Sequence, residues 1–259
     1  MVSMNAVWDE SAAFMRREAH LLVPLALATL LLGNTVGTLA QLAAPRGDIV
    51  ASLVMIAGAL WSIIGQLAIA ALALRPGSSV GEALKLGASR LGKLLVVALL
   101  LGAVIFVACL PLVFGLAKSG YNPADPQIAA HLPAWAVFYT LLVIVILFWV
   151  SVRLSVLNAL IVDRNPSPLA ALREAFALTR GVAARLTLAL ILYAIVAFVV
   201  SLAVRFVLGS LFLVIARGLN SPFAGAVLDA LASGLVATGF VLVATVFLAF
   251  LYRRLSNGI

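Results

Sequence analysis

A chain of 259 residues with 65% apolar and only 10% charged side chains lies far from water-soluble domains, where about a quarter of residues are charged. One core of this size cannot bury so much apolar surface, so the excess must face lipid. The net charge of +8 is therefore not read as nucleic-acid binding, since its placement along the chain matters more than its sum. The expected fold class is all-α, a polytopic transmembrane helical bundle in one integral membrane domain.

Residues 1–20 set Val7, Trp8, Phe14 and Met15 among Asp9, Glu10, Arg16, Arg17 and Glu18. This pattern predicts a short amphipathic helix at the membrane surface with Trp8 at headgroup level. The acidic residues also argue against a signal peptide here. The first span is expected over about 21–43, with Pro24 in its first turn, where a missing N–H costs little. A turn at Pro45-Arg46-Gly47-Asp48 leads to the second span, about 50–74, which ends at Arg75-Pro76-Gly77.

Ser79 and Glu82 have capping-box spacing and open a surface helix, about 79–91, distinct from the spans. Ala83, Leu84, Gly87 and Leu91 share one face, and Lys85, Ser89 and Lys93 the other. The third span, about 94–117, contains Pro111, which demands a kink or compensation by neighbouring helices. A polar loop over 118–133 precedes the fourth span, about 135–162. Its 28 residues would reach about 42 Å, more than the hydrocarbon needs. Arg153 sits two-thirds of the way along it.

A second surface helix is expected over about 167–180. Ser167 is its N-cap, Pro168 its first residue and Gly181 a left-handed C-terminal cap. Asn165, preceding Pro166, should be extended. The fifth span covers about 185–206. The apolar stretch 206–216 either prolongs it or folds back into the membrane. The sixth, about 226–251, ends at Arg253-Arg254.

Six spans bring both termini to one side. That side would carry Arg16, Arg17, Arg75, Lys85, Arg90, Lys93, Arg153, Arg164, Arg173, Arg180, Arg185, Arg253 and Arg254, against Arg46, Lys118, Arg205 and Arg217 opposite. Thirteen against four is the asymmetry of a cytoplasmic face. The segment from Arg75 to Lys85 also resembles that from Arg164 to Arg173, with Ser79 matching Ser167. Each follows a span entering the basic side and precedes one leaving it, which reads as a parallel internal repeat.

The run Arg153-Leu154-Ser155, Val162-Asp163, Ser167-Pro168, Ala171-Leu172-Arg173 and Ala177 to Gly181 resembles a bacterial family. That family is the membrane domain found N-terminal to some glycerophosphoryl diester phosphodiesterases, together with stand-alone six-span relatives. The resemblance implies the fold and a place in a bacterial inner membrane. It does not transfer phosphodiesterase activity, because the family's chemistry belongs to an attached barrel. His20 and His131 are each followed by Leu, not by the Arg-Gly of the catalytic motif.

No cofactor or metal site is expected. His20 and His131 fall on opposite sides of the membrane, Cys109 reads as a small buried hydrophobe, and no carboxylate pair shares a helix face at membrane depth. A charge within a span is a functional-site hypothesis by default, so Arg153 stands out. It would either join Gln66 and Asn158 in an intramembrane polar cluster, or reach the headgroups and pair with Asp163 or a phosphate. Arg205 and Asp229 are candidates for a pair across spans five and six. Lys85, Arg90, Lys93, Arg164, Arg173 and Arg180 are candidate contacts for anionic phospholipid headgroups. Two readings follow: a non-enzymatic protein binding anionic lipid or a membrane partner, and a transporter of a small amphiphile or lipid between the two repeats.

Overall fold

The computed structural model describes residues 4–44, 47–119, 121, 133–218 and 220–257. They form helices α1 (Met4–Arg17), α2 (Ala19–Ala43), α3 (Ile49–Leu74), α4 (Val80–Lys118), α5 (Ala134–Leu154), α6 (Leu157–Arg164), α7 (Pro168–Leu178), α8 (Ala183–Gly218) and α9 (Pro222–Asn257). No strand occurs among the described residues. Six helical stretches are long and apolar enough to cross a membrane: α2, α3, α4, α5 with α6, α8 and α9. The protein is an integral membrane helical bundle. Pro45, Arg46 and the loop residues 122–132, His131 included, lie outside the described residues.

Helix α1 does not simply float in the interface. Its Val7, Ser11 and Phe14 are buried, and its aromatic side chains meet those of α9, Trp8 on Phe247 at 6.0 Å and Phe14 on Phe250 at 5.3 Å between centroids. Glu10 accepts from Arg254 at 2.6 Å and lies 3.6 Å from Arg253. These contacts place the two ends of the chain together at one end of the bundle, called proximal below.

Helices α2 and α3 cross at backbone contact. A Cβ on Gly58 would overlap the Gly33 carbonyl, and one on Gly33 would overlap Ser62. Small residues permit such an approach, which replaces hydrophobic driving force with close packing in lipid. A π turn at Leu27–Leu31 interrupts the α2 hydrogen-bond ladder here. Trp61 Nε1 donates to the Ala28 carbonyl within it at 2.9 Å, and such turns offer carbonyls sideways to a neighbour.

Two boundaries differ from the sequence reading, and a third that it left open takes one of its two alternatives. The surface helix expected over 79–91 is not separate: it continues into the third span as the 39-residue α4. Its capping box is present, with Ser79 N–H donating to Glu82 at 3.0 Å and Glu82 N–H to Ser79 Oγ at 3.2 Å. Nothing between Lys93 and Leu94 stops propagation, because Gly92 weakens a helix without breaking it. The fourth span does break, at Ser155 and Val156, and α6 then turns inward with Leu157, Ala159, Leu160, Ile161 and Val162 all buried. Residues 206–216 prolong α8 to Gly218 without a break. Helix α4 also runs through Pro111, where Tyr139 of α5 donates to the Ala108 carbonyl at 2.6 Å. That contact supplies a neighbouring helix at the proline.

The core lies at the proximal end. Its centre is the run Leu67–Ala71 of α3, Leu160 and Ile161 of α6, and Val246 and Leu251 of α9. Away from it, α4, α5 and α8 turn large apolar side chains outward, among them Leu99, Phe106, Phe138 and Phe198. In lipid these need no protein partner.

Candidate functional site

Arg153 and the basic residues singled out from sequence as headgroup contacts gather at the proximal end, but they divide into two groups. The first group is committed to the fold. Arg153, at the last turn of α5, donates from Nη1 to the Phe176 carbonyl at 3.1 Å, and its guanidinium lies 5.0 Å from the Trp149 ring centroid. The Trp149 and Phe176 rings are themselves 5.9 Å apart. Buried Thr179 closes the arrangement, donating to Ala175 at 2.8 Å and accompanied by a longer contact to the Arg153 carbonyl at 3.4 Å. A cation on the final carbonyls of α7 offsets the negative end of that helix. Arg153 forms no ion pair with Asp163 among the described residues and caps α7 from Nη1, while its enclosed Nε has no partner.

Gln66 and Asn158 do not join it. Both are half-buried, on helices α3 and α6 that pack together. No hydrogen bond links Gln66, Arg153 and Asn158 among the described residues, so the expected polar cluster is not assembled through such bonds.

Lys93 also turns inward, donating to the Asn165 carbonyl at 3.0 Å and approaching that of Pro166 at 3.4 Å. The reason lies in Asn165, which is left-handed at φ 52° and ψ 45° rather than extended as its place before proline suggested. Asn tolerates this region, and the conformation ends α6 with carbonyls free for a cation. Gly181, conversely, is not among the residues of positive φ. Thr179 is the C-cap of α7, in right-handed helical geometry, and its hydroxyl and Arg153 do the work expected of that glycine. Arg164 stands 3.9 Å from Glu174.

The second group is uncommitted. Lys85, Arg173 and Arg180 are exposed and form no ion pair or side-chain hydrogen bond among the described residues, and the same holds for Arg75. Arg90 is half-buried, with its Nε enclosed and unpartnered. Between the end of α3 and the start of α4 a cavity of about 520 Å³ is lined by Arg75, Ser78, Glu82, Lys85 and Ser89 over an Ala71–Ala83 floor. Two cations and the Glu82 carboxylate, itself bonded to Ser79, stand over this apolar floor.

Sequence reasoning missed two contacts. Buried Tyr252 donates to Asp163 at 2.8 Å, joining α9 to the end of α6, and a lone tyrosine before Arg253-Arg254 gives no signal of it. The Glu10–Arg254 pair was within reach, since charge counting had already brought both ends to one side. Arg205 and Asp229 form no ion pair, yet both line one cavity at the far end of α8 and α9. Among the described residues no group of three His, Cys, Asp or Glu could hold a metal. The chain matches no protein family, no curated protein and no solved structure.

Proposed function

We propose that this integral membrane protein is non-enzymatic and binds anionic phospholipid through its proximal face, which is cytoplasmic in a bacterial inner membrane. The observation that carries the reading is the division of the basic residues. Lys93, Arg153 and Arg164 are used within the protein, whereas Arg75, Lys85, Arg173 and Arg180 are exposed and unpartnered on the same end. Each basic residue near an anionic surface is worth about 1 kcal/mol. The likeness of 153–181 to the membrane domain of glycerophosphoryl diester phosphodiesterases supports the same kind of protein. Arg153, the anchor of the transport reading, spends Nη1 on the Phe176 carbonyl and lies over Trp149 but keeps an enclosed, unpartnered Nε. The four exposed cations favour lipid contact, which is carried forward.

The test is native mass spectrometry of protein released from nanodiscs of phosphatidylglycerol and phosphatidylcholine. Wild type should retain the anionic lipid several-fold over its share, and a Lys85→Gln, Arg173→Gln, Arg180→Gln variant should lose that excess. Retention equal to the bulk mixture in wild type sinks the proposal. A cysteine at Ser167, in a Cys109→Ala background, should stay unlabelled by an impermeant reagent in intact cells. Labelling from outside would reverse the orientation.

A further inference from the structure

The far end of the α8–α9 hairpin carries a second polar site, with a different charge pattern. A cavity of about 770 Å³ there is lined by Arg205, Ser210, Phe212, Arg217, Asn220 and Asp229. The two arginines and the aspartate form no ion pair or side-chain hydrogen bond among the described residues, although they share this space. Opposite charges that line one cavity without meeting leave room for a ligand carrying both.

Their heights along the hairpin give the order of charges. Gly225 abuts Ala216, since a Cβ on Gly225 would come within 2.8 Å of the Ala216 Cβ. Counting four residues back along each helix sets Asp229 level with Phe212. Arg205 then lies about 10 Å deeper and Arg217 about 7 Å further out, at 1.5 Å per residue. Arg205 is twenty residues from Arg185, about 30 Å of helix, so with Arg185 at one face of the hydrocarbon Arg205 reaches the other. Moving outward from the acyl region, the wall presents the Arg205 cation and then the Asp229 anion, with Arg217 beyond both. An aminophospholipid headgroup presents the complement in the same order, phosphate first and primary ammonium beyond it. Phe206, Ala216 and Ala226 supply apolar wall for the glycerol and chain ends.

We propose that this distal cavity binds a phosphoethanolamine-type group, Arg205 taking the phosphate through its fork of N–H donors and Asp229 accepting from the ammonium. The site does not depend on the lipid contact proposed for the proximal face. It distinguishes ethanolamine from choline, because a trimethylated nitrogen has no N–H to donate to Asp229.

The experiment is again native mass spectrometry, from nanodiscs of equal phosphatidylethanolamine and phosphatidylcholine. Wild type should retain the ethanolamine lipid at least threefold over the choline lipid. Asp229→Asn should bring that ratio to about one, and Arg205→Gln should reduce retention of both. The Lys85, Arg173, Arg180 variant should keep the wild-type ratio, which separates this site from the proximal one. Equal retention of the two lipids by wild type, or an unchanged ratio in Asp229→Asn, overturns the proposal. Should either variant fail to fold, the wild-type ratio still decides. Soluble O-phosphoethanolamine separates the sources: displacement of the retained lipid shows that the free headgroup suffices, and retention assigns the site to the whole lipid. Displacement by phosphocholine at the same concentration would count against the proposed role of Asp229.

Discussion

Helices α2, α3 and α9 differ from α4, α5 and α8 in what surrounds them. In their most apolar stretches, between a third and nearly half of the residues of the first three are buried in protein: 44%, 39% and 33%. For α4, α5 with α6, and α8 the shares are 6%, 11% and 0%. Hydropathy runs the other way, at 1.7, 2.0 and 2.4 for the buried trio against 3.0, 2.5 and 2.7. Lipid is as apolar as leucine, so burial of apolar area does not hold helices together inside a bilayer. The helices that pack bury Gly, Ala, Ser and Thr alongside their larger apolar residues, and these small side chains lower hydropathy and allow the close approach at the α2–α3 crossing. Those that face lipid carry Leu, Val and Phe. In this protein the greasiest spans are the least buried ones.

The largest effect should come from breaking that contrast at the α2–α3 crossing. Gly58→Leu would force a side chain into the Gly33 carbonyl, which is backbone and cannot step aside. Overpacking of this kind costs about 1–3 kcal/mol or more, and loss of the monodisperse folded protein in detergent, or a much lower melting temperature, is expected. Gly102→Leu on α4, where a Cβ meets nothing within 4 Å, should leave the melting curve within error of wild type. Equal damage from the two substitutions would deny the division between packed and lipid-facing spans. A smaller effect belongs to Arg153→Gln, which removes a cation from the end of α7 and from the Trp149 ring. Each contact is worth about 0.5–1 kcal/mol in exposed settings. Amide hydrogen exchange across 168–178 should quicken severalfold while that of α3 is unchanged, and Arg153→Lys should restore part of the protection. Unchanged exchange in α7 would return Arg153 to the list of candidate ligand-binding residues.

The same contrast explains what the sequence could disclose. Length and hydropathy gave six spans, because a membrane forces its helices to announce themselves as long apolar runs. Ser79 and Ser167 were readable as helix starts, since an N-cap is satisfied by neighbours in the chain, and both have extended geometry with N–H groups donating to their hydroxyls. Helix ends were less legible. Gly181 and Asn165 were assigned conformations from local preference, while the real terminators of α7 and α6 include Arg153 and Lys93, which arrive from 23 and 72 residues away. Among the described residues no hydrogen bond links Gln66, Arg153 and Asn158, and for the same reason the sequence could not show where Arg153 would bond. Spacing within a helix shows that a charge is out of place, and only tertiary structure shows which carbonyl satisfies it. The α4 continuation is a simpler case: an amphipathic turn followed by an apolar run reads as two elements, yet a helix without a breaker need not stop where its environment changes.

The smallest expected effect concerns how the chain's two ends are held to the packed trio. Arg254, hydrogen-bonded to Glu10 and seconded by Arg253, holds the Glu10 carboxyl below the usual carboxylate range. A depressed folded pKa means that this contribution is fully present above the unfolded value, about 4.3, and disappears as pH falls through the folded value. The pair is partly exposed and screened by solvent, so its contribution is small. The aromatic contacts of Trp8 and Phe14 should keep α1 docked when the pair is lost. Hydrogen exchange of α1, corrected for the intrinsic effect of pH, should therefore rise modestly between pH 7 and pH 3.5 in wild type. In Glu10→Gln it should begin at the raised level and show no such pH step. A pH step of the same size in Glu10→Gln would assign the titration to another group, and full release of α1 at pH 3.5 would mean that the ion pair, rather than the aromatic face, holds the N-terminal helix to α9.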